Sequence, residues 1–249
     1  MDYAISEIAL IAGAAFLASL ISGLGGFGGG FIVVIALAPI IGAKAVVPVL
    51  SVFSIWSNVA RIVFYGRSAQ WGLAIRFILA SLPGVFLGAK FLAEVPERGF
   101  LAFIGGVLIV AVPVRRYLKR HKLEPGLKTI VVAGLIFGFV SGAAAGSGML
   151  VIATLTTLGL QGPVLLGTDA VIGLINSLTR AGTYWTLDLL TPKLATIGAL
   201  MGLATFPGAW LASLAVRRMG VKLHTLLIEA LIVCGGLFFV VKAVAGNVW

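Results

Sequence analysis

Apolar runs long enough to cross a bilayer dominate the sequence and leave little polar chain for a soluble fold. They lie at 8–41, 45–65, 72–92, 99–117, 129–159, 163–185, 193–215 and 223–244. Charged residues make up only 10% of the chain, whereas soluble domains carry about 25%. Runs of about 20 apolar residues match the hydrocarbon thickness of a membrane. We therefore predict an all-α polytopic membrane protein with about eight membrane segments.

The net charge of +10 is concentrated between the runs. Six basic residues fall within one short stretch: Arg115, Arg116, Lys119, Arg120, Lys122 and Lys128. Such a cluster is typical of a cytoplasmic loop under the positive-inside rule, so we expect the lipid bilayer as a partner and no nucleic acid. The chain then divides into a first transmembrane repeat at 1–118, a basic cytoplasmic loop at 119–127 and a second repeat at 128–249.

The two halves resemble each other. Two motifs recur 119 positions apart: Ser22-Gly23 as Ser141-Gly142, and Arg61-x-x-x-Tyr65 as Arg180-x-x-x-Tyr184. Pro83-Gly84 recurs as Pro207-Gly208 after a short insertion, and Asn176 falls one position out of register with Asn58. Weak internal repeats of this kind are typical of transporter folds.

The first run of each half is too long and too rich in glycine for one straight helix. A helix over 8–41 would be about 51 Å long, against a hydrocarbon core of about 30 Å. Six of the nine residues from Ser22 to Gly30 are glycine, and each costs about 1 kcal/mol in a helix interior. A degenerate copy lies at 141–148. We predict that each repeat has a broken or re-entrant first helix followed by three transmembrane helices.

Two topologies fit this layout. If each broken run crosses the membrane, the repeats are parallel; if it returns to its starting side, they are inverted. The inverted arrangement places Arg217, Arg218 and Lys222 on the cytoplasmic side with the basic loop, whereas the parallel arrangement leaves Arg217 and Arg218 outside. The positive-inside rule therefore favours inverted repeats.

The breaks also predict an anion site. The segments after them, 31–41 and 149–159, would start near the midplane, and a helix start carries free N–H groups and a partial positive charge. Two such ends facing one cavity can hold an anion. The candidate substrate-binding residues are Ser22, Gly25, Gly26, Gly28, Gly29, Asn58, Arg61, Ser141, Gly146, Ser147, Gly148, Asn176 and Arg180.

Arg61 and Arg180 strengthen this hypothesis, because an arginine inside a membrane is costly unless it is paired or wetted. The alternative is that each snorkels to the interface. Asn58 and Asn176 lie about one helical turn deeper. Asp169 has three readings: it pairs with a basic residue, it carries a coupling proton, or it helps to start a helix beside Thr168.

No enzyme, metal or cofactor signature is present. Gly23-x-Gly25-x-x-Gly28 matches the letters of a dinucleotide fingerprint, but that motif needs a preceding strand and a βαβ unit. Glycines spaced by four, as in Gly84-x-x-x-Gly88 and Gly134-x-x-x-Gly138-x-x-x-Gly142, instead predict close helix packing. We expect no catalytic residues, no metal ligands and no cofactor.

The duplicated layout, the glycine break at Ser22–Gly30 and its copy at 141–148 resemble the sulfite exporter TauE/SafE family, also called the toluene sulfonate uptake permease family, over essentially the whole chain. The resemblance implies a multi-pass protein of the bacterial inner membrane that transports sulfur-containing oxyanions such as sulfite, sulfonates or sulfoacetate. From the residues alone, the leading function is a secondary transporter of a small anion. A passive anion channel and a membrane scaffold without a substrate stay as alternatives, and the buried arginines are expected to argue against a scaffold. Substrate identity, direction, coupling ion and oligomeric state are open at this point.

Overall fold

A computed structural model of the chain describes residues 5–96, 126–144, 147–220, 222–227 and 230. Over these residues the chain forms helices joined by short turns, with no strand. The long helices are α1 (Ile5–Gly25), α2 (Gly29–Ile41), α3 (Ala43–Tyr65), α4 (Trp71–Glu94), α5 (Leu127–Ala143), α6 (Gly148–Thr157), α7 (Gly162–Thr186), α8 (Pro192–Leu203) and α9 (Thr205–Arg218). The predicted all-α class is confirmed for this part of the chain. The run at 99–117, most of the run at 223–244 and most of the loop at 119–127 lie outside the described residues.

Four helical stretches are long and apolar enough to cross a membrane, at Lys44–Ser68, Trp71–Glu94, Gly162–Thr186 and Pro192–Arg218. Large apolar side chains such as Val63, Leu79 and Leu203 are each more than 60% exposed on their outer faces. A soluble protein rarely exposes so much apolar surface, whereas lipid solvates it. The architecture is that of a multi-pass membrane protein.

The helix is broken in the first run of each half, as predicted. α1 ends at Gly25 and α2 begins at Gly29, with Gly26 and Gly28 at φ +80° and +96°. That backbone region is open to glycine at little cost. A Cβ added at Gly29 would lie 2.3 Å from the carbonyl oxygen of Ala18, so α2 starts beside α1 and the chain reverses direction at the break.

The run at 193–215 differs from the single helix that the sequence predicts. The structure has α8 and α9 on either side of Ala204. Pro207 contributes to the interruption, because a proline ring clashes with the carbonyl four residues earlier, and that residue is Leu203, the last of α8.

Small residues allow two close helix crossings that link the halves. In α4 against α5, a Cβ added at Gly88 would lie 2.1 Å from Phe139 O, and one at Gly138 would lie 2.1 Å from Ser81 O. In α1 against α9, a Cβ at Gly23 would lie 2.5 Å from the Ala212 Cβ. The predicted packing role of the spaced glycines is confirmed, and the first helix of each half packs on a helix of the other half.

The apolar core also joins helices from the two halves. One cluster includes Val33, Leu37 and Leu50 of α2 and α3 together with Met201 of α8. A second includes Phe77 of α4 with Phe137, Ile152 and Leu165 of α5, α6 and α7. Each broken helix pair is therefore packed against a long helix from the opposite half, which fixes the two breaks relative to each other.

We expect Gly138→Ala to lower the free energy of unfolding by about 1–3 kcal/mol, because the added methyl group meets a backbone oxygen that cannot move aside. Gly182→Ala is the matched control: Gly182 is an exposed helical glycine with no atom within 4 Å of an added Cβ. It should leave stability unchanged or raise it by about 1 kcal/mol. Thermal unfolding of the purified variants in detergent measures both, and equal effects would contradict the crossing geometry.

Candidate functional site

A cavity of about 110 Å³ lies between the two helix breaks. A single water needs roughly 10–15 Å³ of such space, so the cavity has room for several waters or for one small oxyanion. Its walls come from both breaks and from α3, α5 and α7. Most of the residues that line it are glycine or carry a hydroxyl, amide or charged group, whereas the outer surface exposes many large apolar side chains.

Two helix starts open into this cavity. Gly28, Gly29 and Gly30 line it at the start of α2, and Ser147 and Gly148 line it at the start of α6. The N–H groups of the first turn of a helix generally lack intrahelical partners, and neither start has a side-chain cap to pair them. At the start of α6, the Leu150 N–H donates to Ser147 O at 2.9 Å, which leaves the N–H groups before it for other partners. The two breaks touch, since a Cβ added at Gly148 would lie 3.2 Å from the Phe27 Cβ. Their partial positive charges therefore face the same space.

Arg61 is buried, with 5% of its surface exposed, and its cation is compensated. Its Nη1 donates to Gly26 O at 3.1 Å and to the carboxylate of Asp169, and its Nη2 donates to Asn58 Oδ1. Of the three interpretations of Asp169, the structure shows the ion pair, and the partner is Arg61. The helix-start reading is wrong, because α7 begins at Gly162, about two turns earlier.

Arg180 is equally buried, at 6% exposed, but its surroundings differ. Its Nη1 donates to Ser141 O at 3.0 Å and lies 3.4 Å from Ser141 Oγ. Its Nε has no partner among the described residues, and the same is true of the Arg61 Nε. Among the described residues no carboxylate pairs with it. Arg180 lines the cavity, and among the described residues its positive charge has no counter-ion there.

The arginines also have a structural role, which they share with two tyrosines one turn away. Tyr65 Oη donates to Gly23 O at 3.1 Å, and Tyr184 Oη donates to Gly142 O at 2.5 Å. These carbonyls lie in the last turns of α1 and α5, where helix oxygens lack intrahelical partners. The expectation that a scaffold would have no use for the buried arginines is therefore wrong. Their burial alone does not distinguish a transporter from a scaffold.

Amides and hydroxyls from α3 and α7 complete the polar lining. Asn58 Nδ2 donates to Ser177 Oγ at 3.4 Å, and Ser81 Oγ of α4 donates to Asn176 Oδ1 at 3.0 Å. Ser57-Asn58 in α3 and Asn176-Ser177 in α7 are 119 positions apart and carry the same two residue types in reversed order. This reversal explains why Asn176 falls one position out of register with Asn58.

The model of the sulfite exporter TauE/SafE family matches residues 11–239, nearly the whole chain. The chain belongs to this family. Membership of the TauE/SafE family implies a membrane transporter of the sulfite-exporter type. No match was found among curated proteins or among solved structures.

Most of the residues that the sequence singled out in this TauE/SafE protein converge on the cavity. Those that line it are Ser22, Gly26, Gly28, Gly29, Asn58, Arg61, Ser141, Ser147, Gly148, Asp169, Asn176 and Arg180. Gly25 does not, because it is buried as the last residue of α1, before the turn that enters the cavity. Gly146 lies outside the described residues. The described residues contain no group of His, Cys, Asp and Glu that could hold a metal ion.

Sequence reasoning missed several lining residues, among them Phe53, Ser54, Ser57, Phe137, Gly173 and Ser177. The repeat offset could have found Ser57 and Ser177, since they are the positions equivalent to Asn176 and Asn58. The others carry no local signal, because a serine, glycine or phenylalanine in an apolar run is equally typical of ordinary helix packing.

We expect Tyr184→Phe to lower the free energy of unfolding by about 1–3 kcal/mol, because it leaves the Gly142 carbonyl buried without its donor. Thr183→Val is the matched control. The neighbouring Thr183 hydroxyl donates only within its own helix, to Thr179 O at 2.8 Å, an oxygen that the helix already pairs. Thermal unfolding in detergent compares the two, and a loss as large for Thr183→Val would show that the capping bond contributes little.

Proposed function

We propose that this TauE/SafE protein is a secondary transporter of a small sulfur-containing oxyanion of the sulfite, sulfonate or sulfoacetate type, acting in the inner membrane of a bacterium. The substrate binds in the cavity between the two helix breaks. The observation that carries the proposal is Arg180, a buried cation that lines the cavity and has no carboxylate partner among the described residues.

The chemistry of the cavity suits an oxyanion. A sulfite or sulfonate group offers three oxygens, each able to accept hydrogen bonds from the guanidinium group and from the helix-start N–H groups. Each charge-assisted hydrogen bond contributes about 1.5–3 kcal/mol, and each helix end about 0.3–2 kcal/mol. Association and side-chain ordering offset much of this, so we expect micromolar to millimolar affinity, which also permits release.

We further propose that the halves are inverted repeats whose breaks meet near the bilayer midplane. The helix bounds support the duplication: α2 and α6 begin at Gly29 and Gly148, and α3 and α7 include Tyr65 and Tyr184, all 119 positions apart. The exchange of packing partners supports it as well, since α1 packs on α9 and α5 packs on α4.

The decisive variant is Arg180→Lys. Lysine keeps the charge and can still donate to Ser141 O, but it cannot present a planar fork to an oxyanion. We expect folded yield near that of the parent and uptake of sulfite or methanesulfonate into proteoliposomes reduced about tenfold or more. The parent should show saturable uptake driven by an imposed gradient, as a carrier does.

Arg76→Lys is the matched control, because Arg76 is an exposed residue of α4 away from the cavity. It should transport like the parent. If Arg180→Lys also transports like the parent, Arg180 serves only to pair the carbonyl of the broken helix, and the proposed substrate role is wrong.

The topology is tested at Gly220, an exposed position with no atom within 4 Å of an added Cβ. In a Cys234→Ser background, we expect Gly220→Cys to react with an impermeant thiol reagent only after the cytoplasmic side is opened, because inverted repeats place Arg217 and Arg218 inside. Labelling from outside intact cells would instead support parallel repeats.

A further inference from the structure

We infer that the cavity selects a singly charged oxyanion over a doubly charged one, and that Asp169 sets this selectivity by cancelling the charge of Arg61. The inference rests on the proposed function, and it narrows the substrate class from oxyanions in general to monoanions. A monoanion here means a simple sulfonate or a hydrogen sulfite rather than a sulfate, a fully ionised sulfite or a sulfoacetate, whose sulfonate and carboxylate groups make it a dianion.

The charge of the cavity follows from its lining. Among the described residues that line it, the charged side chains are Arg61, Asp169 and Arg180. Arg61 and Asp169 form an ion pair, which is neutral as a unit whichever partner holds the shared proton. The helix starts add partial charges but no net charge, because each helix dipole is neutral overall. The described lining therefore carries one net positive charge, that of Arg180.

A lining with one net positive charge is best matched by a ligand with one negative charge. A bound monoanion leaves the buried site neutral, whereas a dianion leaves one negative charge without a counter-ion. An uncompensated charge in a low-dielectric interior is strongly disfavoured. We therefore expect the cavity to discriminate between anions that have the same shape but different charge. The hydrogen bonds of the guanidinium group alone would not give this specificity.

Comparison of the two halves shows that the net charge of the lining depends on one carboxylate, that of Asp169. Arg61 and Arg180 occupy equivalent positions, 119 apart, and both donate to a backbone carbonyl at a break. The position equivalent to Asp169 is Leu50, which lines the same cavity. The position that carries the acid in the second half therefore carries a leucine in the first half, at the same cavity.

The experiment compares methanesulfonate with sulfate. Both are tetrahedral at sulfur and differ by a methyl group in place of a charged oxygen, and neither titrates near neutral pH. Isothermal titration calorimetry of the full chain in nanodiscs, at constant ionic strength, gives the two dissociation constants. We expect the parent to bind methanesulfonate about tenfold or more tighter than sulfate, which corresponds to about 1.4 kcal/mol.

Two variants test whether the preference for methanesulfonate comes from the charge of the lining or from the greater hydration of sulfate. Asp169→Asn raises the lining charge to two and should shift the sulfate-to-methanesulfonate affinity ratio at least about tenfold toward sulfate. The double variant Arg61→Gln/Asp169→Asn removes both partners of the pair, restores one net charge and should return the ratio toward that of the parent.

A second route uses the equivalent position and does not depend on recovering folded Asp169→Asn. Leu50→Asp places a carboxylate in the cavity with the uncompensated Arg180, and should weaken methanesulfonate binding about tenfold or more relative to Leu50→Asn, which adds polarity without charge.

The outcomes are distinct. If the parent binds neither anion, the proposed function fails. If the parent binds sulfate as tightly as methanesulfonate, or if Asp169→Asn leaves the ratio unchanged, or if Leu50→Asp binds methanesulfonate as well as Leu50→Asn does, the charge inference is overturned while the oxyanion site stands.

Discussion

The structure depends on how it satisfies the backbone at two interrupted helices. Inside a bilayer there is no water to pair a free N–H or C=O group, and each unpaired group costs several kcal/mol. At the end of the helix that precedes each break, side chains from α3 and α7 pair the carbonyls: Arg61 and Tyr65 in one half and Arg180 and Tyr184 in the other. The helix starts on the other side of each break line the cavity, and under the proposed function their N–H groups contact the ligand.

The same constraint explains why part of the site could be predicted from sequence. Glycine density marks a helix break because the cost of glycine in a helix is local, and an arginine in an apolar run is conspicuous because its burial is expensive. The ion pair between Arg61 and Asp169 could not be assigned in the same way. It joins residues 108 positions apart and depends on how α3 packs on α7, which no local pattern specifies.

The interruptions differ in how far sequence specifies them. The glycine-rich breaks fell where the composition predicted them, because several residues in succession disfavour a helix. The interruption at Ala204 was not predicted, although Pro207 lies three residues later. Pro83 has the same Pro-Gly context and sits inside the continuous α4. A proline in an apolar run removes one hydrogen bond, and the packing around it decides whether the helix bends or is interrupted.

Positions 119 apart in the two halves agree more closely in backbone structure than in charge. Both halves need a broken helix, a cation and a tyrosine at matching positions, because each half has the same unpaired carbonyls to satisfy. Nothing in that requirement fixes the acid beside the cation, and Leu50 and Asp169 show that it has diverged. The arginine that lacks an acid can then do two things at once. Its Nη1 holds the helix end, and its remaining donors and its charge are left for a ligand. Under the proposed function, the asymmetry between these two positions is thus the feature that lets an arginine that stabilises a broken helix also bind an anion.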